Sequence, residues 1–520
     1  MSSQRPNILF VMVDQLAATM LPMYGHPVVK APNLETLAAD GVVFESAYCN
    51  SPLCAPSRAS MMTGQLPSRA GVYDNAAEMP ATIPTFAHYL RGMGYRTTLS
   101  GKMHFVGPDQ LHGFEERLTT DIYPADFGWT PDWERPHERP SWYHNMLSVV
   151  QAGQCERSNQ LDYDDEVMFH ARRALFDMAR DADQRPFFLL VSLTHPHDPY
   201  AITPEYWHRY DHAAIDLPAV PPIALDQLDA HSRRLRDVCA MQDYDLNEAR
   251  VRNARHAYYG MVSYVDDQVG ELLRVLQATG LRDNTIVIFT SDHGDMLGER
   301  GLWYKMSFFE GSARVPLIFH APDRWSRRRI AEPVSLVDLL PTLVELADDG
   351  DHVEVAAPVD GHSLVGLLRG DGDLVWPHSV PAEYLAEGAI APCLMLRRGR
   401  YKYIYSVSDT DQLYDLETDP HELQNLADEI EHIETRHALY DEVMRRWDPQ
   451  ALNEAVLLSQ RRRMTVAAAL TAGQHTSWDF QPYRDASRQY IRNHLDLDDL
   501  ERRARFPSTD HPRPDGRTGT

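Results

Sequence analysis

The sequence predicts an α/β fold with a mostly parallel central sheet flanked by helices, followed by a smaller C-terminal antiparallel-sheet subdomain and a helical C-terminal tail. Continuous apolar runs of strand length alternate with helical patterns, and such strands are typical of a parallel sheet that is buried on both faces. From about residue 380 the strand-like runs become shorter and are separated by turn residues. This change favours a small antiparallel sheet.

The individual elements follow from the same patterns. Strands of the central sheet are predicted over residues 8–13, 187–193, 285–290 and 315–319, and helices over 34–39, about 248–278 and 336–346. Pro84 and Gly94 bracket another helix, because Pro favours the start of a helix and Gly its end. Strands of the small sheet are predicted over residues 382–384, 394–396, 401–404 and 412–415.

Four regions result from this pattern. We predict an N-terminal α/β domain over residues 1–375, the antiparallel-sheet subdomain over 376–450, a helical extension over 451–505 and a disordered tail over 506–520. Helical patterns run from about residue 430 to 500, whereas the last residues are rich in Pro, Gly, Asp and Arg.

The composition is that of an ordinary soluble globular protein, with 43% apolar and 24% charged residues. A net charge of −25 would repel nucleic acid, so a nucleic-acid partner is not expected. The apolar runs fall far short of the roughly 18 residues of a membrane span, and the N-terminal run is too short for the parts of a signal peptide. We therefore expect no membrane partner.

Cysteine usage points to the compartment. The sequence has five cysteines without a C-x-x-C pair: Cys49, Cys54, Cys155, Cys239 and Cys393. This sparse, odd set indicates neither a disulfide framework nor a zinc knuckle. A reducing compartment fits best, and we predict a cytoplasmic location.

Polar residues at two predicted strand ends could hold a metal ion. Asp14 and Gln15 follow the first strand, and Asp292 and His293 follow the strand at 285–290. Ligands of such sheets bind at the carboxyl ends of strands, where carboxylates favour Ca²⁺ and an imidazole tolerates Mn²⁺. An Asp at a strand end is also a common helix cap, so either pair alone is weak evidence.

One cysteine stands in a distinctive setting. Residues 54–64 read C-A-P-S-R-A-S-M-M-T-G, which places Cys54 just before a Pro-started helical turn with Arg58 four positions on. A free cysteine is usually a small buried hydrophobe. Here, however, the pattern C-x-P-S-R-x-x-x-x-T-G resembles the signature of the sulfatase family, within the alkaline-phosphatase-like superfamily. Residues 291–305 (S-D-H-G-D-x-x-G-E-x-G-L-W-x-K) and 101–104 (G-K-M-H) resemble two further sulfatase blocks.

The resemblance implies a chemistry for Cys54. In sulfatases this cysteine is oxidised after translation to Cα-formylglycine (3-oxoalanine), so a sulfatase-maturing, formylglycine-generating enzyme is an expected partner. The hydrated aldehyde is the nucleophile of sulfate-ester hydrolysis. By the same resemblance, one divalent metal per subunit is bound by Asp14, Gln15, residue 54, Asp292 and His293, with Ca²⁺ favoured over Mn²⁺ or Mg²⁺. Gln15 stands where arylsulfatases commonly have the second residue of an acidic pair, and this difference removes one negative charge from the metal-ligand set.

The remaining catalytic roles are also implied by the family. Lys102 and Lys305 would bind the sulfate group, and Arg58 would orient residue 54. His104 would hydrogen-bond the aldehyde hydrate. His197, in the segment T-H-P-H-D-P-Y after the strand at 187–193, would protonate the leaving oxygen, whereas the neighbouring His195 is interpreted as structural.

Longer stretches resemble the choline-sulfatases within this family, namely residues 68–76, 101–117, 126–131 and the region from about 454. The implied substrate is choline-O-sulfate, whose trimethylammonium group needs an aromatic face and nearby negative charge. By resemblance the pocket residues are Asn75, Trp129, His144, Glu383 and Asp498. Trp129 could instead be a core aromatic and Asp498 a solvated charge at a helix end.

Asp498 belongs to a tail that, by the same resemblance, reaches a neighbouring subunit, which implies a homo-oligomer and favours a tetramer. The choline produced would feed osmoprotectant (glycine betaine) or carbon metabolism. Two other hypotheses remain open at this point. A broader arylsulfatase or phosphonate monoester hydrolase would turn over aryl phosphodiesters well, and a non-catalytic binding protein would leave Cys54 unoxidised and bind no metal.

Overall fold

The computed structural model describes residues 5–348, 354–372, 375–474, 478 and 480–483. In chain order the strands are β1 (Asn7–Val13), β2 (Val42–Tyr48), β3 (Arg96–Gly101), β4 (Glu116–Arg117), β5 (Gly153–Gln154), β6 (Phe187–Ser192), β7 (Ala201–Ile202), β8 (Thr285–Ser291), β9 (Arg314–His320), β10 (Arg328–Ile330), β11 (Val334–Ser335), β12 (Ser379–Tyr384), β13 (Cys393–Arg398), β14 (Tyr401–Tyr405) and β15 (Gln412–Asp415).

The α-helices run between these strands and after them. They are α1 (Pro32–Asp40), α2 (Cys54–Thr63), α3 (Pro67–Ala70), α4 (Phe86–Gly92), α5 (Leu147–Val150), α6 (Asn159–Arg180), α7 (Pro204–Trp207), α8 (Ala230–Val238), α9 (Glu248–Thr279), α10 (Glu310–Ala313), α11 (Leu339–Ala347), α12 (Val365–Arg369), α13 (Ile433–Arg446) and α14 (Pro449–Thr471). No helix in the part of the chain that the structure describes has both the length and the apolar character needed to cross a bilayer.

The large sheet has the strand order β10-β2-β9-β8-β1-β6-β3-β4, with β11 also beside β2. Strand β9 runs antiparallel to its neighbours β2 and β8, whereas the central strands β1, β3, β6 and β8 are mutually parallel. The predicted mostly parallel central sheet is therefore confirmed. The parallel strands bring their carboxyl ends to one edge of the sheet.

Both faces of this sheet are buried. Leu9, Val11 and Val13 of β1 join an apolar cluster with residues of α1, α6 and α9. The alternate residues Ile8, Phe10 and Met12 join a second cluster with residues of α2, α4 and α11. Because successive side chains of a strand point to opposite faces, one strand contributes to two cores. This explains why its sequence is apolar throughout.

Most predicted elements are confirmed, with differences at their ends. Helix α9 begins at Glu248 as predicted and ends at Thr279. Helix α4 begins at Phe86, with Thr85 as its N-cap, so Pro84 precedes the cap and is not the first helical residue. The sequence could not separate these two positions, because a proline just before the cap and one just after it produce the same pattern.

The small sheet is antiparallel in the order β12-β13-β14-β15, as predicted. A buried lysine on β14 joins the small sheet to the α/β part. Lys402 Nζ donates to the Phe308 carbonyl and to Glu422 Oε1 and forms an ion pair with Glu310 Oε1, each at 2.7 Å. A buried charge is tolerated only when it is paired in this way. The domain boundaries at 375, 450 and 505 stay predictions.

The helical prediction for residues 430–500 holds for α13 and α14 but is wrong for residues 480–483, which are not helical. Gly473, in the left-handed region at φ 77°, follows the C-cap Ala472 of α14. A glycine at this position is a common helix stop, and the predicted helical range ran past it. Asp498 and the tail predicted to be disordered at 506–520 lie outside the described residues.

Candidate active site

The predicted site residues follow the carboxyl ends of the central strands. Asp14 comes directly after β1, Lys102 directly after β3 and Asp292 directly after β8. His197 lies five residues after the end of β6. Cys54 is the first residue of α2, and it approaches the same edge of the sheet.

Cys54 is buried at the start of a helix whose residues are all buried. Its Sγ lies 3.2 Å from His293 Nε2 and 3.8 Å from Asp14 Oδ1. The next residue, Ala55, donates its backbone N–H to Asn75 Oδ1 at 2.9 Å. A helix N-terminus favours negative charge, so residue 54 lies where an anion would be stabilised.

Four possible metal ligands converge at Cys54. One ligand atom each from Asp14, Cys54, Asp292 and His293 lies within 4.8 Å of all the others, and all four residues are buried. Two carboxylates and an imidazole form a donor set that fits a divalent cation. Burial by itself would raise the pKa of Asp14, but the charges of Lys102 and Arg58 hold it well below its usual range.

Three cationic side chains surround this group. Arg58 donates through Nε to Asp292 Oδ2 at 2.8 Å and through Nη2 to Asp14 Oδ2 at 3.2 Å. Lys102 Nζ donates to Asp14 Oδ2. Lys305 Nζ lies 2.6 Å from Gln15 Oε1 and 2.8 Å from His197 Nε2. In a chain of net charge −25, positive charge is therefore concentrated here, where a sulfate group needs it.

Gln15 lies between the metal-ligand group and Lys305. Its Oε1 accepts from Lys305, and its Nε2 donates to Asp295 Oδ2 at 2.7 Å. Its backbone N–H donates to Asp292 Oδ1 at 3.1 Å. These bonds fix the orientation of the amide, whereas its predicted role as a metal ligand stays a prediction.

His104 is buried, and neither of its ring nitrogens has a hydrogen-bond partner in the described structure. The backbone holds the residue in place, since its N–H donates to Asp121 Oδ2 at 2.9 Å. Buried polar atoms without partners are rare in folded proteins. The imidazole is therefore available to a group that joins the site, as the predicted contact with an aldehyde hydrate requires.

The imidazole of His197 is held by hydrogen bonds with the carbonyl group of Asp198 and with Lys305. Its Nδ1 lies 2.7 Å from the carbonyl oxygen of Asp198, which accepts the ring N–H, so Nε2 accepts from Lys305. Burial and the charge of Lys305 lower the pKa of His197 well below its usual value. In this arrangement the imidazole is neutral, and Lys305 holds the proton that the predicted acid would deliver.

Two predicted pocket residues border this centre. Trp129 is half-buried, and its ring lies edge-on to His104 at 5.8 Å and nearly parallel to Trp142 at 6.3 Å. His144 Nε2 lies 3.5 Å from Lys305 Nζ, and burial followed by the charge of Lys305 lowers its pKa to about 4. Asn75 contacts Ala55 at the start of α2. Asn75, Trp129 and His144 therefore lie beside the candidate site, and their pocket roles stay predictions.

The geometry does not bring Glu383 into the pocket. Its carboxylate accepts from the Ser68 hydroxyl at 2.6 Å, the Ser68 N–H at 2.7 Å and Trp447 Nε1 at 2.6 Å. These bonds join β12 to the start of α3 and to the turn between α13 and α14. The hydrogen bonds of Glu383 therefore connect three parts of the fold. Its contacts do not support the predicted pocket role, which stays a prediction.

We expect Glu383→Gln to lower stability and to leave substrate selectivity unchanged. Burial raises the pKa of Glu383 to about 7 in the folded protein, from about 4.5 in the unfolded chain. The contribution of protonated Glu383 to the free energy of unfolding is therefore fully present below pH 4.5 and is lost as the pH rises through 7. The stability difference between wild type and Glu383→Gln, at most about 3 kcal/mol, should shrink from pH 5 to pH 8. Thermal unfolding across that range measures it, and a changed preference among sulfate esters would contradict the structural role.

Two residues that the sequence analysis did not select interact with the site, Tyr123 by contact and Glu387 through charge. Tyr123 lies with its ring under Lys102 Nζ, 4.2 Å from the ring centre. Glu387 is buried, its Oε2 has no hydrogen-bond partner in the described structure, and burial raises its pKa to about 7. The charges of Asp74 and Lys305 also act on Glu387. Glu387 lies four residues after Glu383 in the segment A-E-Y-L-A-E-G, so sequence alone does not separate the two carboxylates.

Comparisons with known proteins point to one family. Residues 6–349 match the family model described as Sulfatase, residues 298–448 match N-sulphoglucosamine sulphohydrolase, C-terminal, and residues 454–506 match Choline sulfatase enzyme C terminal. A choline-sulfatase of Rhizobium meliloti (strain 1021) is 49% identical over 516 residues, covering 98% of this chain and 99% of the relative. An arylsulfatase of Clostridium perfringens (strain 13 / Type A) is 28% identical over 452 residues, covering 83% and 92%.

Solved structures support the fold. A phosphonate monoester hydrolase of Agrobacterium radiobacter has a TM-score of 0.68 at 24% identity, covering 87% of this chain and 96% of that one. The predicted alkaline-phosphatase-like fold class is thereby confirmed. With the family model spanning residues 6–349 and the signature around Cys54 placed among its expected partners, the chain belongs to the sulfatase family, whose members hydrolyse sulfate esters.

Proposed function

We propose that this sulfatase hydrolyses choline-O-sulfate to choline and sulfate. The observation that carries the proposal is the half-buried indole of Trp129, which lies edge-on to the unpartnered His104 beside the Cys54 centre. A trimethylammonium group has no N–H to donate, so an aromatic face is the recognition element it needs. The 49% identity to a choline-sulfatase supports the same substrate.

The pocket also needs negative charge for the cation. We propose Glu387 for this role in place of Glu383, because its buried carboxylate has an unpartnered oxygen whereas the Glu383 carboxylate is fully engaged. A cation that reaches Glu387 would favour the ionised carboxylate and lower its raised pKa. Trp129 provides a joined aromatic surface with Tyr123 and Trp142, whose ring centres lie 5.3 Å and 6.3 Å from its own.

The nucleophile in this proposal is residue 54 after conversion to formylglycine. One hydroxyl of its hydrate would release its proton to solvent and attack the sulfur. The bond from sulfur to the choline oxygen would break as that oxygen takes a proton from the His197–Lys305 pair. The second hydroxyl then loses its proton, the aldehyde re-forms, and the bond from residue 54 to the sulfate is broken without attack of water at sulfur. The free nitrogens of His104 are available to hydrogen-bond the hydrate and to take up that proton.

Three residues would bind the sulfate group and stabilise its charge. Arg58, Lys102 and Lys305 are held by Asp14, Asp292 and Gln15 before substrate arrives. Such preorganised charge is usually the largest contribution to catalysis of this kind. A divalent metal held by the Asp14, Cys54, Asp292 and His293 group would add positive charge that stabilises anions near residue 54. We propose Ca²⁺ as this metal, since carboxylate oxygens favour it.

The leaving choline oxygen needs a proton. His197 Nε2 and Lys305 Nζ are hydrogen-bonded at 2.8 Å, so the pair holds one proton that can pass to the oxygen through either group. The negative sulfate group beside Lys305 would raise the low pKa of His197 and favour its protonated form. We therefore propose the pair, with His197 as donor, as the general acid.

The cellular setting is proposed on the same basis. All five cysteines are free, which supports a reducing, cytoplasmic compartment and requires a maturing enzyme there to convert Cys54. We propose a homotetramer in which the tail with Asp498 reaches a neighbouring subunit, with the C-terminal match over residues 454–506 in support. The choline released would enter glycine betaine metabolism.

The likeness to a phosphonate monoester hydrolase concerns the fold alone at 24% identity, so the hypothesis of a broader arylsulfatase or phosphonate monoester hydrolase has less support.

Product analysis tests the function. The metal-replete enzyme, with conversion of residue 54 verified by mass spectrometry, should release choline and sulfate from choline-O-sulfate in equal amounts. An aryl sulfate and an aryl phosphodiester serve as competing substrates at the same enzyme concentration. If the phosphodiester has the highest kcat/KM, the broader alternative is correct and the proposal is wrong.

We expect Trp129→Ala to raise KM for choline-O-sulfate by about 10-fold, because an aromatic face contributes roughly 1–2 kcal/mol to a desolvated cation. Hydrolysis of a neutral alkyl sulfate should change little. Trp129→Phe is the matched control, since it keeps an aromatic face and should retain most of the affinity. Equal losses for the cationic and the neutral ester would contradict the pocket.

A further inference from the structure

The C-terminal helix α14 contacts the segment that carries Trp129 at two places. Arg463 Nη1 donates to Thr130 Oγ1 at 3.1 Å, directly after Trp129. Gln460 Oε1 accepts from the backbone N–H of Trp133 at 3.0 Å. Gln460 and Arg463 are only 1% and 6% exposed, so these bonds are shielded from water.

A hydrogen bond within the segment joins the residues that flank Trp129 in the chain. Thr130 Oγ1 donates to the carbonyl oxygen of Phe127 at 2.8 Å while it accepts from Arg463. On the other side of Trp129, the Phe127 ring contacts Trp478 edge-on at 5.2 Å. Trp478 and Arg463 of α14 therefore contact residues that precede and follow Trp129 in the chain.

Arg463 connects this segment to the nucleophile helix. Its two Nη atoms donate to the two carboxylate oxygens of the fully buried Asp74, each at 2.6 Å. The next residue, Asn75, accepts from the backbone N–H of Ala55 at the start of α2. One guanidinium group thus joins the segment with Trp129 to the segment that contacts the nucleophile helix.

The pairing also removes an electrostatic conflict. An unpaired arginine beside a pocket for a cation would repel the substrate. The bidentate contact with Asp74 neutralises this charge and fixes its geometry. Arg463 can therefore hold the segment without opposing the trimethylammonium group.

We propose that Arg463 and Gln460 are positioning residues for Trp129, so that helix α14 sets the selectivity of the site for a cationic alcohol. The inference rests on the proposed function, since it concerns the same pocket. A cation–π contact requires the cation within about 6 Å of the ring centre, so a displaced indole weakens binding of choline-O-sulfate. The Arg58, Lys102 and Lys305 group, which acts on the sulfate, does not depend on α14.

The test is a selectivity ratio: kcat/KM for choline-O-sulfate divided by kcat/KM for 3,3-dimethylbutyl sulfate, the isostere in which carbon replaces the quaternary nitrogen and the alcohol part carries no charge. Arg463→Gln should lower this ratio by about 10-fold, through a higher KM for the cationic ester, with kcat for the neutral ester kept within about twofold. Arg461→Gln is the matched control. Arg461 lies on the same helix but pairs with Glu134 in an exposed contact, the side chains being 56% and 46% exposed, so the ratio should not change.

Two further variants separate positioning from instability. Arg463→Gln leaves the Asp74 carboxylate buried without its partner, so the double variant Asp74→Asn/Arg463→Gln, which restores neutrality, is measured beside it. Gln460→Ala removes the contact to Trp133 and leaves the Arg463 pair intact. Both should lower the ratio while the thermal unfolding midpoint shows a folded enzyme.

A double-mutant cycle with Trp129→Ala decides whether Arg463 acts through the indole. If it does, adding Arg463→Gln to Trp129→Ala causes no further loss of the ratio. Additive losses, or an unchanged ratio in every α14 variant of a selective enzyme, would overturn the inference alone. A wild-type ratio near one would overturn the proposed function, and the inference with it.

Discussion

Replacing Cys54 by alanine is expected to lower kcat/KM for sulfate esters by at least about 10⁴-fold, the scale seen when an enzyme loses its nucleophile. Residue 54 is buried among Asp14, Asp292 and His293, and alanine has no side-chain group that can be converted to an aldehyde. The fold should persist, because the change removes one sulfur atom from a helix whose neighbours stay in place.

The control for Cys54→Ala is Cys155→Ala, since Cys155 is a free, partly exposed cysteine outside the candidate metal-ligand group. This variant should keep wild-type kcat/KM and wild-type conversion at residue 54, measured by mass spectrometry. Cys54→Ala with more than about one hundredth of wild-type activity would show that the nucleophile lies elsewhere.

Asp14→Asn is expected to weaken divalent-cation binding by at least about 100-fold and to lower kcat/KM by roughly 10³-fold. The substitution keeps the shape of the side chain but removes a negative charge from the centre. Asp14 is also the acceptor for Lys102 and Arg58, so these two cations lose part of their orientation. Metal content per subunit and calorimetric metal titration measure the first effect independently of activity.

The control for Asp14→Asn is Asp360→Asn, which removes a carboxylate from the partly exposed pair with Arg69. Its metal content and kcat/KM should match those of the wild type. Full metal occupancy in Asp14→Asn would contradict the assignment of Asp14 to the metal-ligand group, even if activity were lost.

The sequence predicted the parts of this molecule that depend on local patterns. The apolar strands around β1 and the signature at Cys54 are written in consecutive residues, and parallel strands bring Asp14 and Asp292 to one edge of the sheet without further information. These elements and their convergence are found in the structure.

Properties that depend on distant contacts could not be predicted. The lowered pKa of His197 results from burial and from the charge of Lys305, which is 108 residues away in sequence. The choice between Glu383 and Glu387 depends on the contacts of Glu383 with Ser68 and Trp447, which lie 315 and 64 positions away in the sequence. The contact of Arg463 with Asp74 joins residues 389 positions apart, and no local pattern of α14 indicates it.

The most direct test compares wild-type turnover of choline-O-sulfate and 3,3-dimethylbutyl sulfate on one metal-replete preparation with known conversion of residue 54. The two esters share shape and leaving-group length and differ by one positive charge, so the ratio of kcat/KM isolates recognition of the cation. With both the aromatic face of Trp129 and the Glu387 carboxylate in the pocket, we expect a ratio of about 100 or more. A ratio near one would leave the sulfatase chemistry intact and contradict the choline pocket.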